Sequence, residues 1–160
     1  MTAADLKYLL TCLIRERVSI KNIVYLFEKI NDYANEPTKE DLLDKVRLAF
    51  SKLIIKDLVR EGEIKVIEFD EVTLDKVDGF FNNTEDGENI IRIDANDVQE
   101  IANKINKLAN SKKLEFPILV VPMDLRHMCF VILSEFVPNL RVIACEELVS
   151  DYDIKFIGKV

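Results

Sequence analysis

Near Gly62 the spacing of apolar residues changes from three and four to two, which limits the chain to a helical segment followed by one built on strands. Upstream, Leu6, Leu9, Leu10 and Leu13 make one stripe and Ile20, Ile23, Phe27, Ile30 and Ala34 a second. Leu42, Val46, Phe50 and Leu53 make a third. Each set falls on one face of a helix. Arg15-Glu16-Arg17 closes the first helix, and Ser19 is placed to cap the second. Asn35-Glu36-Pro37 ends the second, because proline lacks a donor and disfavours helix in the residue before it. Thr38 with Asp41 reads as a variant capping box for the third.

Downstream, Ile64 and Val66 alternate with Lys65 and Ile67, which predicts a strand. Residues 70–93 are acidic, contain Gly79 and Gly87, and read as a connection or exposed hairpin leading to a short strand at Ile90–Ile93. Asn82-Asn83-Thr84 has the form of a glycosylation sequon and is read as a coincidence of composition. Asp94 caps a helix with Val98, Ile101, Ala102, Ile105, Leu108 and Ala109 on one face. The run Pro117-Ile118-Leu119-Val120-Val121 predicts a strand buried on both sides. Asp124 starts a helix striped by Leu125, Met128, Cys129, Ile132, Leu133 and Phe136, and strands follow at Leu140–Ile143 and Ile154–Ile157. Helices between apolar strands imply right-handed crossovers and at least partly parallel pairing. The expected fold is mixed α+β or α/β: a three-helix N-terminal subdomain followed by a small α/β sandwich.

The net charge of -7 disfavours broad binding to phosphate backbones or anionic lipid. It is uneven along the chain: residues 1–62 carry 11 basic and 10 acidic side chains, and 63–160 carry 11 and 19. Nine of those acids lie in 63–88. Cys12 and Cys129 sit in apolar stripes and read as small buried hydrophobes of a reducing compartment, and the apolar runs are too short to cross a bilayer. With four glycines and no phosphate-cradling loop, a nucleotide site is not expected. The single histidine, His127, is no basis for a metal centre, and Cys145 beside Glu146-Glu147 lacks a neighbouring base. Asp94 with Asp97 serves a helix N-terminus better than acid–base chemistry. No catalytic, cofactor-binding or metal residue is assigned. Phe130 and Val131 lie off the main stripe of their helix, so that helix is apolar nearly all round and suits either a buried core or a partner surface.

Four segments resemble a known family. Leu13-Ile14-Arg15-Glu16-Arg17-Val18-Ser19-Ile20-Lys21-Asn22-Ile23 is similar to the Leu-Leu-x-Glu-x-Val/Ile-Ser-Ile signature of the type III secretion export-gate family. Val46-Arg47-Leu48-Ala49-Phe50 resembles its Val-Arg-x-Ala-Leu helix, and Met123-Asp124-Leu125-Arg126 the stretch after its buried strand. Pro138-Asn139-Leu140-Arg141-Val142-Ile143-Ala144-Cys145-Glu146-Glu147-Leu148 resembles its Pro-x-Leu-x-Val-Leu-Ser-x-x-Glu-Leu, with Ala144 in place of serine. Met123-Asp124-x-Arg126 and the ending Ile157-Gly158-Lys159-Val160 look more like the virulence (injectisome) branch than the flagellar one.

The resemblance implies the C-terminal cytosolic part of a longer inner-membrane protein of bacteria, not an enzyme and without a cofactor. Residues 1–68 would be the helical third subdomain and 69–160 the α/β fourth. The implied assembly is a nonameric ring on the cytoplasmic side of the membrane, receiving chaperone–effector complexes, a gatekeeper and the stalk protein of the export ATPase. This segment itself would neither insert in the membrane nor bind nucleic acid. Arg15, Arg17, Arg47 and Lys52 are the expected subunit contacts, and Asp124, Arg126, His127, Phe130 and Val131 the expected partner surface. A small α/β ligand-binding or enzymatic domain is the alternative from another class.

Overall fold

Thr2 starts the first helix, α1 (Ala3–Arg15), through a capping box with Asp5. Its other end is a Schellman turn: Arg17 takes a φ of 59°, its N–H donates to Ile14 O, and Val18 N–H reaches back to Leu13 O. The capping residue of α2 (Ile23–Asp32) is Asn22, whose Oδ1 accepts from Tyr25 N–H, and not Ser19 as expected. Thr38 caps α3 (Lys39–Ala49) by accepting from Asp41 N–H. The third expected helix is divided at Phe50, after which α4 (Ser51–Leu58) begins without a side-chain cap. The structure, a computed structural model, describes residues 1–82, 84–85, 88–89, 93–148 and 151–160. They form two compact units, Met1–Ile64 with Glu146–Asp153 and Lys65–Cys145 with Ile154–Val160.

Contacts inside the first unit fix the direction of its helices. Tyr8 Oη donates to Glu40 Oε1 at 3.3 Å, and Glu16 meets Arg47 at 2.8 Å, so α1 and α3 run in the same sense. Tyr25 Oη donates to Ala49 O and its ring lies 5.1 Å from that of Phe50, so α2 runs in reverse. Leu9, Leu13, Leu26, Ile30, Leu43 and Val46 are buried here. The stripe read on α2 is corrected: Leu26 and Ile30 face inward, while Ile23 and Phe27 are 44% exposed. Leu26→Ala is expected to cost about 2–5 kcal/mol and Phe27→Ala less than about 1, a difference that urea denaturation of the two variants measures.

In the second unit, the sheet order is β5-β4-β1-β6, formed by β1 (Glu63–Glu68), β4 (Ile118–Val121), β5 (Arg141–Ala144) and β6 (Asp153–Lys159). β1 and β5 both pair parallel to β4, with Ile67 opposite Leu119 and Leu119 opposite Val142. Val160, just past β6, donates to Glu68 O and accepts from Asp70 N–H, the pattern of a parallel pair with β1. Ile67, Leu119, Val121 and Val142 pack in one cluster with Val77 and Phe80 of α5 (Glu71–Asn82) and Ile101 and Ile105 of α6 (Ala95–Ser111). Leu125, Cys129 and Leu133 of α7 (Met123–Leu133) complete that core. α7 begins one residue before Asp124, which lies in its first turn.

The reading of 70–93 as a connection is corrected. Asp70 Oδ1 accepts from Thr73 N–H at 2.7 Å, and that bond, lowering the Asp70 pKa, starts α5. Leu74, Val77, Phe80 and Phe81 then recur at helical spacing, a signal obscured by Asp70, Glu71, Asp75 and Asp78 and by Gly79. After α5 the short strands β2 (Thr84–Glu85) and β3 (Glu88–Asn89) pair antiparallel as a hairpin. The strand expected at Ile90–Ile93 falls largely on 90–92, outside the described residues. A Cβ added at Gly79 would meet nothing within 4 Å. Gly79→Ala is therefore expected to stabilise the protein by about 0.5–1 kcal/mol, by lowering the entropy lost when the helix forms, and a thermal melt checks it.

Candidate functional site

Three of the segments that carry the family resemblance each place one residue in a single buried ion triad. Arg47, on the inward face of α3, is 2% exposed. Its Nε and Nη2 donate to Glu147 Oε2 and Oε1 at 3.2 and 3.1 Å, and its Nη1 donates to Glu16 Oε2 at 2.8 Å. Glu16 caps the C-terminus of α1 and is 8% exposed, while Glu147, in the 3₁₀ turn after β5, is fully buried. A planar guanidinium can serve two carboxylates at once, one through a paired fork, which a lysine cannot do. The triad fastens residues from 100 positions away in sequence to the helical unit.

That geometry removes Arg47 from the expected subunit contacts, since its guanidinium is enclosed by two glutamates. Arg15, Arg17 and Lys52 are exposed. They fall at one end of the helical unit, where α1 ends and α4 begins. The charge contrast read along the chain is not a contrast between units. The return of Glu146–Asp153 gives the first unit 11 basic and 15 acidic residues and the second 11 and 14, or -4 and -3.

On α7, Arg126 is fully buried, which corrects its placement on a partner surface. Asp124 is exposed, His127 and Phe130 are half-buried, and Phe130 packs against the core of its unit. Val131 is 45% exposed and Phe136 42%. Of the apolar surplus read on this helix, then, Val131 is the part that reaches solvent. Helical spacing marked that surplus but could not say which of its side chains the sheet would cover.

Among the described residues no group of three or more His, Cys, Asp or Glu could hold a metal ion, and no helix is long and apolar enough to cross a membrane. Burial pushes the Cys129 thiol up to about 12, and Cys12 is also buried, while Cys145 is exposed. One thiol, Cys145, is expected to react with a colorimetric thiol reagent in the folded protein, the other two only on unfolding.

The FHIPEP family model matches residues 1–153. The flagellar biosynthesis protein FlhA of Bacillus subtilis (strain 168) is 28% identical over 164 residues, covering 100% of this chain and 24% of that protein. The Shigella flexneri MxiA protein has the same fold, with a TM-score of 0.85 at 21% identity over 100% of this chain and 50% of the solved one. A nonameric SctV-C from enteropathogenic Escherichia coli (EPEC) gives a TM-score of 0.83 at 16% identity over 100% of this chain and 49% of the other. The chain thus spans about half the length of these solved structures and about a quarter of the curated relative.

Proposed function

The chain belongs to the FHIPEP family, and on that premise we propose that it acts as the C-terminal cytosolic part of the inner-membrane export gate of a type III protein secretion system. The match of the family model to residues 1–153 carries this reading. In it, 1–68 and 69–160 are the third and fourth cytosolic subdomains, and copies assemble as a nonameric ring at the cytoplasmic side of the membrane. The ring receives chaperone–effector complexes, the gatekeeper and the stalk protein of the ATPase, and performs no catalysis. A nonameric solved relative of the same fold supports the ring. Arg15, Arg17 and Lys52 are subunit contacts, and Asp124, His127, Phe130 and Val131 border a partner surface, supported by the exposure of Val131.

The virulence branch is favoured by the sequence around Met123 and at the C-terminus. The flagellar counterpart is the second reading, and the 28% identity to FlhA supports it. Deleting the gene from its host separates them. Loss of effector secretion with motility intact supports the virulence reading, and loss of motility supports the flagellar one. Unchanged secretion and unchanged motility together would overturn both.

A further inference from the structure

Along one flank of the second unit, α6 and the sheet edge bring together cations that the fold does not use. Among the described residues β6 has a strand neighbour on one side only, β1. α6 runs beside β6 in the opposite sense. Asp70, whose N–H donates to Val160 O, has its pKa lowered by the bond from Thr73 and, to a smaller extent, by the charges of Lys104 and Lys159. Both ammoniums therefore lie near the C-terminal end of β6. One turn further along α6, a Cβ placed at Gly158 would stand 2.5 Å from Leu108 Cδ2, so the helix crosses β6 against bare backbone. The next turn carries Lys112 toward Phe156, which is 57% exposed and shares the face of Gly158 by the two-residue period of a strand.

Lys104, Lys107, Lys112 and Lys159 are exposed along this flank. Lys104 meets Glu100 at 3.2 Å and Lys159 meets Glu68 at 3.4 Å, exposed pairs of a kind that contributes little and exchanges readily. Lys107 and Lys112 make no ion pair among the described residues. A cation at a helix C-terminus offsets the helix dipole, which accounts for Lys112, and a lysine on an edge strand guards against aggregation, which accounts for Lys159. Neither reason explains Lys107 or the exposed ring of Phe156 beside it. The unit as a whole is acidic, with 11 basic and 14 acidic residues, so the flank is opposite in sign to its surroundings.

We infer that this flank is a docking surface for an acidic segment of a partner protein. Carboxylates of the segment meet Lys104, Lys107, Lys112 and Lys159, and an apolar side chain between them seats on Phe156 and Leu108. The surface depends on neither the ring nor the α7 surface proposed above, since α7 packs on β4 and β5, away from the β6 edge. A short acidic segment suits it better than a nucleic acid or a lipid surface. The net charge of -7 repels a long run of phosphates, whereas a segment meets this flank alone.

Fluorescence anisotropy with a labelled decapeptide of Asp, Glu and Leu tests this at low and physiological salt. The peptide is expected to bind, more weakly as salt rises, and its Asn, Gln and Leu counterpart is not. Lys107→Glu with Lys112→Glu should weaken binding at least about tenfold without lowering the melting temperature. Phe156→Ser should weaken the leucine-bearing peptide and leave one of Asp and Glu alone unchanged. Lys7→Glu with Lys45→Glu, an equal charge change on the helical unit, should have little effect. An equal loss in that control would show an unspecific field and overturn the inference. So would a wild-type protein that does not bind the peptide, or one that binds oligouridylate or phosphatidylglycerol vesicles more tightly. The ring proposed above stands under every one of these outcomes.

Discussion

Arg47→Leu is expected to cost about 3–5 kcal/mol, because it leaves the carboxylates of Glu16 and Glu147 in the interior without their shared guanidinium. The two losses are unequal. Glu147, fully buried, forfeits the paired fork from Nε and Nη2, while Glu16, at the end of α1, forfeits the bond from Nη1. Arg47→Lys should recover only part of the deficit, since an ammonium cannot reproduce the paired fork. Replacing all three residues by apolar ones of similar volume is expected to recover more than Arg47→Lys does, because it removes the charges together with their partner. Urea denaturation of the single and triple variants measures the series. A single Arg47→Leu change that costs less than about 1 kcal/mol would mean that the triad contributes little to the fold.

Leu119→Ala should have a comparable effect by a different route. Leu119 lies in the central strand β4, opposite both Ile67 and Val142, with no exposed surface. Truncation removes its transfer free energy and leaves a cavity that two hydrogen-bonded neighbours hold open, for a cost of about 2–5 kcal/mol. Val131→Ala, on the exposed side of α7, is expected to stay within about 0.5 kcal/mol. The ratio of the two midpoints in denaturant tests whether the sheet face was assigned correctly.

Spacing alone marked most of the elements, because a helix and a strand repeat their side chains at different periods and each needs an apolar face. The stripes of α1, α3 and α6, the capping residues Thr38 and Asp94, and the buried run of β4 were all legible in this way. α5 was not, since Gly79 and its acids mask a stripe that packs against the sheet. On α2, the apolar residues run from Ile23 to Phe27 without a break, so the period admits two faces and cannot choose between them. The neighbours chose Leu26 over Phe27.

Arg47 shows the same limit more sharply. A lone arginine on a helix reads as solvated, because the cost of burying its charge is large and the partner that offsets it is invisible locally. Here that partner is Glu147, and only the chain's return to the helical unit brings it within 3.2 Å. Local spacing was enough for the periods, for the caps at Thr38 and Asp94, and for the order of motifs that place the chain in its family. The tertiary structure decided which apolar face and which charges go inside, because burial depends on contacts between residues far apart along the chain.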